Sequence, residues 1–239
     1  MSWMLILLLA TSPFVLQPPG HFHGDEPVVA DGDAMLALHD DGERAWLEAT
    51  RIELRRVADP VMDADDGPET GWQVGPDLGT GLPLAYLRGA GLHAGEVVRA
   101  EVVGVDDPAG LAFYKPASVD IRLDDALYRL VAGCDRHDGA PRDRASSLDC
   151  HIDLFAPDGG RSRLVAMSGY VDGTGNVGLG ADASAALLFA GDLDGDGRLD
   201  LLFDTSDHYN VRQPTLFLSR EAAEGQPVRA VARHRAVGC

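Results

Sequence analysis

Residues 150–167 read CHIDLFAPDGGRSRLVAM. Cys150, Ile152 and Leu154 alternate with His151 and Asp153, the two-residue period of a half-buried strand. Ala156–Gly160 then supplies Pro, Asp and two glycines, and an Asp-Gly pair tolerates the positive φ that a tight turn needs. Arg163–Met167 brings the chain back. The stretch predicts an antiparallel hairpin.

The same signature recurs on both sides. Downstream and just upstream, Val119, Ile121 and Leu123 alternate with charge, and Tyr128–Ala132, Ala186–Ala190, Leu199–Asp204, Thr215–Ser219 and Val228–Val237 are strand-length apolar runs. Nearer the start, Val28–Ala30, Ala34–Leu38, Pro83–Leu87 and Val97–Val105 read as strands. From Trp46 to Val57, Thr50, Ile52 and Leu54 alternate with Arg51, Glu53 and Arg55. The period favours a strand, although the Ala, Leu, Glu and Arg content also suits a helix. Asp59–Gly79 is rich in Asp, Gly and Pro and reads as a loop. Turn formers at 106–110 mark the best boundary. Neither half sustains a period near 3.6. The expected class is therefore all-β, with sandwich-like antiparallel sheets. It would form one large domain or two packed β regions, 21–108 and 111–239.

The chain has 239 residues, 45% of them hydrophobic, so it can bury a full core and is neither disordered nor fibrous. Its 28 glycines and 14 prolines call for many turns. The net charge is −18 and Lys115 is the only lysine. A chain this acidic has no phosphate-tracking face, which argues against nucleic acid and against an anionic membrane surface. Most of the acid reads as a solubilising surface.

Met4–Ala10, MLILLLA, is prolonged by residues 11–16 and interrupted by Pro13. It is too short for a comfortable membrane span. It reads as a secretory signal over residues 1–20, with an uncleaved apolar N-terminal strand as the alternative. The expected location is periplasmic or secreted. The three cysteines, Cys134, Cys150 and Cys239, include no Cys-x-x-Cys. Cys134 and Cys150 border apolar runs across a polar loop. A disulfide there would close 15 intervening residues and add about 3 kcal/mol. Pairing of Cys239 with either one is the alternative.

The chemistry concentrates in Leu187–Asp204, LLFAGDLDGDGRLDLLFD. Asp192, Asp194, Asp196 and Asp200 stand at loop positions 1, 3, 5 and 9, and Gly197 follows the third. Calcium takes six to eight hard oxygens, and this spacing wraps carboxylates around one point, with the carbonyl of Arg198 as a further ligand. An EF-hand would need Glu at position 12 and helical flanks. Position 12 is Phe203, and the flanks read as strands. A plain acidic turn is the competing reading.

These residues resemble the calcium-binding loop of FG-GAP repeats, the integrin-type propeller blades and their VCBS-like bacterial relatives. The resemblance includes Phe189-Ala190-Gly191 before the loop and Asp200-Leu201 after it, and it covers about 20 of the 239 residues. It implies Ca²⁺ held by Asp192, Asp194, Asp196, the Arg198 carbonyl and Asp200. Such loops come one per blade, and no second Asp-x-Asp-x-Asp-Gly occurs here; Asp63–Gly67 comes nearest, with the wrong spacing. A propeller closes by repetition, so neither the full propeller nor its adhesive function is carried over.

Thr205–Asn210 packs polar residues between two strands. Asp207, His208, Tyr209 and Asn210 are candidate ligand contacts, with a hydrogen-bonded turn as the competing reading. No Gly-x-Ser-x-Gly elbow accompanies them. Gly173-x-Gly175-x-x-Gly178 fits the dinucleotide pattern but lacks the helix and parallel sheet that would make it one. His21-x-His23 could grip copper only at a freed N-terminus. The other histidines form no ligand spacing.

The sequence thus predicts an exported calcium-binding β protein with a structural metal and a binding or structural role. A glycan or protein ligand stays open. A calcium-dependent hydrolase using Asp207 and His208, and a surface adhesion module, are the rivals.

Overall fold

The computed structural model describes residues 14–64, 66–76, 81–105, 111–136, 148–180 and 185–237. Among these there is no helix, and the sheets are antiparallel throughout. The first eight strands are β1 (Val15–Gln17), β2 (Gly20–Phe22), β3 (Ala34–Asp40), β4 (Ala45–Arg51), β5 (Leu54–Val57), β6 (Gly71–Val74), β7 (Ala85–Arg88) and β8 (Gly95–Arg99). Then follow β9 (Glu101–Val103), β10 (Leu111–Ala112), β11 (Ala117–Leu123), β12 (Ala126–Arg136), β13 (Leu148–Phe155), β14 (Arg161–Val171) and β15 (Val177–Leu179). The last six are β16 (Ala186–Asp192), β17 (Asp200–Asp204), β18 (Val211–Arg212), β19 (Pro214–Leu218), β20 (Arg229–Arg233) and β21 (Ala236–Val237).

A ten-stranded sheet runs β1-β7-β3-β4-β8-β16-β17-β19-β20, with β10 also on β16. Its end strands β1 and β20 meet, which nearly closes it into a barrel. A six-stranded half-barrel runs β15-β14-β13-β12-β11-β9. Two small sheets, β2-β6-β5 and β18-β21, flank these. The architecture is not a propeller.

The hairpin of residues 150–167 is β13–β14. Ala156 N–H donates to the Gly160 carbonyl, Gly159 takes φ +89°, and Asp158 Oδ1 caps Gly160 N–H at 2.9 Å. Cys134 and Cys150 lie opposite each other on β12 and β13, with Cα atoms 4.0 Å apart, and form a disulfide. Gly169 on β14 passes directly beneath it: a Cβ there would fall 2.1 Å from Cys150 Sγ. Cys239 lies outside the described residues.

The regions 21–108 and 111–239 share both large sheets, and residues 106–110 between them lie outside the described residues. The crossing point is Ala100. Its N–H goes to the Ala190 carbonyl at 2.9 Å, so the expected single strand Val97–Val105 splits. Thus β8 pairs with β4 and β16, while β9 pairs with β11. The run Trp46–Val57 is extended but divides at Ile52, which leaves the ladder to exchange backbone hydrogen bonds with Gly32 and Asp33. Val28–Ala30 is not a strand. Val28 N–H donates to the side chain of Gln17, and the next residues turn at Gly32.

Residues 14–20, the end of the expected leader, belong to the fold. β1 pairs with β7, Leu16 is 1% exposed, and buried Gln17 holds the loop at Val28. Residues 1–13 lie outside the described residues.

The core explains why Leu187–Leu218 is so apolar. Leu187, Ala190, Leu201, Phe203 and Phe217 face one hydrophobic cluster, shared with the half-barrel. Phe189, Leu202, Leu216 and Leu218 face another, inside the barrel-like sheet. Strands buried on both faces need apolar residues at consecutive positions, so they lose the simple alternation of a half-buried strand.

Candidate metal centre at the acidic hairpin

The acidic loop joins β16 to β17, with Gly191 opposite Asp200. Leu193 and Leu199, near its two ends, are buried, the first in the barrel-side cluster and the second in the half-barrel cluster. Tyr128 Oη accepts Leu199 N–H at 3.4 Å. These anchors fix the loop ends, and the sequence between them must double back within five residues. Gly195 and Gly197 do this at φ +75° and +78°. Neither is crowded, so the requirement is for the left-handed backbone alone.

Doubling back turns the aspartates inward. Asp192 accepts the N–H groups of Gly195, Asp196 and Gly197 at 2.8–3.1 Å. Asp200 is fully buried and accepts Leu193 N–H on one oxygen and Ser219 N–H on the other. Asp194 accepts Asp196 N–H through Oδ1 at 3.2 Å. Its Oδ2 is buried and has no hydrogen-bond partner. Arg220 Nε lies 3.3 Å from that oxygen, but out of line for a hydrogen bond. The contact is an ion pair across a gap and leaves the lone pairs of Oδ2 unmet.

One carboxylate oxygen each from Asp192, Asp194 and Asp200 lies within 4.8 Å of the others. Oxygens around one Ca²⁺ at about 2.4 Å stand at most about 5 Å apart, so the three fit a single hard cation. Asp196 is placed differently. Asp196 is held by the guanidinium of Arg198 at 2.7 Å and by the Ser219 hydroxyl at 3.0 Å. Asp196 therefore braces the loop against the end of β19, and it is the other three aspartates of the motif that converge.

The electrostatics are those of crowded acid. Burial pushes the Asp200 carboxyl up to about 7; Asp194 adds to this, and the N–H donors of Ser219 and Leu193 oppose it. Burial raises Asp194 too, reinforced by Asp196 and offset by Arg220. For Asp196, burial is outweighed by Arg198 and Ser219, and its carboxyl is held low.

Ser219 and Arg220 escaped the sequence reading because they are distant in sequence and carry no motif. Gly91 makes room for Arg220 in the fold: an added Cβ there would fall 1.9 Å from its guanidinium.

Asp207, His208, Tyr209 and Asn210 lie beyond the other end of β17, about 14 Å of strand from Asp200. They form an exposed turn. Asn210 N–H donates to His208 Nδ1 at 3.1 Å, and the His208 ring packs on Tyr209 at 4.3 Å. The closeness in sequence that motivated a hydrolase using Asp207 and His208 beside the metal is not closeness in space. The Gly173–Gly178 segment is the β14–β15 turn, organised by Asp172. Its carboxyl is held down to about 2 by Thr174 and Asn176. His21 sits mid-strand opposite Gln73, and His23 Nδ1 bonds Asp59.

No protein-family model matches this chain, and no curated protein or solved structure matches it either.

Proposed function

We propose that this is an exported calcium-binding protein whose acidic hairpin holds one Ca²⁺ in a structural role. The observation that carries this is the buried Asp194 Oδ2, which accepts no hydrogen bond and meets Arg220 only as an ion pair, beside the carboxylates of Asp192 and Asp200. A buried lone pair without a donor is costly, and three converging carboxylates repel one another. A divalent cation relieves both. Asp192, Asp194 and Asp200 would hold the ion, and the loop carbonyls and water would complete its shell. The ion supplies no reaction in this reading. It screens the acid and joins β16 to β17. Export is supported by the apolar segment Met4–Ala10 and by the Cys134–Cys150 disulfide, since disulfides persist in oxidising compartments.

The test is calorimetric titration of the chelated protein with Ca²⁺ and with Mg²⁺. Calcium is expected to bind at one site with measurable heat, and Asp194→Asn is expected to abolish it. Absence of calcium binding to the wild type would defeat the reading.

A further inference from the structure

At the far end of β17 from the acidic loop lies a cleft of about 650 Å³, where β2-β6-β5, β18-β21 and the segment before β7 come together. That volume is typical of small-molecule sites. Its walls include Pro18, Pro19, Pro60, Pro83 and Pro214. Proline fixes its own φ, so such walls lose little freedom when a ligand arrives. Phe22, Leu84 and Leu188 make the lining mainly apolar.

Three carboxylates border the cleft: Glu26, Asp59 and Asp204. Glu26 gives one oxygen to His23 N–H and the other to Val237 N–H. Asp59 gives Oδ1 to Val61 and Met62 N–H and Oδ2 to the imidazole of His23. Asp204 takes three donors on Oδ1: Ser206 N–H, the Ser206 hydroxyl and Gln213 N–H. Its Oδ2 has none among the described residues. Five of the six oxygens are thus committed, and the sixth is held in place by what binds its twin. Arg212, the permanent cation of the lining, forms no ion pair with it. Burial holds His234 low, which keeps that ring neutral near pH 7. With a net charge of −18, the protein's field favours a cation at such a carboxylate.

We propose that this cleft binds a small apolar molecule carrying one ammonium group, with Asp204 Oδ2 as the acceptor and the proline walls enclosing the apolar body. The site is independent of the calcium reading, since it shares no residue with the acidic loop.

The probes are 2-phenylethylamine, 2-phenylethanol and 3-phenylpropanoate, measured by ligand-observed NMR on the full chain. The amine is expected to bind at least tenfold tighter than the alcohol or the acid. Asp204→Asn keeps an oxygen for the three donors and should weaken the amine at least tenfold, leaving the alcohol unchanged. Ala58→Trp, at an exposed position of the lining, should abolish binding of both with an unchanged Tm. Equal binding of alcohol and amine, preference for the acid, or no binding of any probe at 10 mM would overturn the proposal. Should Asp204→Asn not fold, the amine-to-alcohol ratio and Ala58→Trp still decide it.

Discussion

Ser219 N–H donates to Asp200 Oδ1 at 2.8 Å, and the hydroxyl of the same serine donates to Asp196. One residue at the end of β19 therefore grips the acidic hairpin at two points. The hairpin is thus held from outside as well as by its own glycines. The protein's own hydrogen bonds gather the carboxylates, and burial raises those of Asp200 and Asp194.

The first prediction concerns pH. In chelator, the unfolded chain releases the Asp200 proton near the ordinary value of 3.8, whereas the folded protein keeps it to about 7. This group's contribution to stability is full below 3.8 and is lost as pH rises to about 7. Calcium must displace that proton, so its affinity should fall up to tenfold per pH unit below 7. At one calcium concentration, set at a hundred times the Kd found at pH 8, the added stability should therefore be about 3 kcal/mol at pH 8 and small at pH 5.5. Thermal melts at both pH values check it. A rise independent of pH would exclude Asp200 as a ligand.

The second concerns Asp194. Asp194→Asn removes a buried charge while keeping the shape. In chelator its stability should stay within about 1 kcal/mol of wild type, because the lost charge was already poorly paired. Its calcium response should disappear. Urea melts with and without calcium separate the two effects.

Gly197→Ala should cost about 1–2 kcal/mol, the penalty of forcing a β-carbon into the left-handed region. Nothing else crowds the position, so Gly197→Asn should recover part of the loss. Equal stability of all three proteins in urea would show that the loop can adopt another path.

Reducing the Cys134–Cys150 bridge should cost about 3 kcal/mol. Gly169→Ala should cost about 1–3 kcal/mol in the oxidised protein, since the added methyl meets both Cys150 Sγ and the Gly178 carbonyl. Denaturation of each variant with and without reductant reports whether Gly169 and the bridge act together.

A chain beginning at residue 21 should be much less stable than one beginning at residue 14. The shorter chain loses buried Phe14 and Leu16, worth about 1.5–3 kcal/mol each, together with the β1–β7 ladder. Comparison of their melting temperatures decides it.

The β13–β14 hairpin was legible because half-buried strands alternate and its turn carries Asp-Gly. The class followed from such patterns, and the three converging aspartates from their spacing. The sheet order was not legible, because pairings such as β8 with β16 join residues about ninety positions apart and leave no local trace. β1 was hidden inside an apolar run that also suits a leader. Val28–Ala30 has strand-like residues, yet the buried amide of Gln17 claims its backbone. The role of Asp196 depended on Arg198 and Ser219, and which carboxylate a guanidinium or hydroxyl selects is decided by the folded packing.

The strands β16, β17 and β19 serve as a party wall. Leucines and phenylalanines on opposite sides of it complete two separate interiors, and Leu193 and Leu199 peg the acidic loop into one each. Neither interior can open without stripping the other of its lining. The two should melt in a single concerted step, and neither half of the chain, cut out alone, would retain a closed hydrophobic compartment.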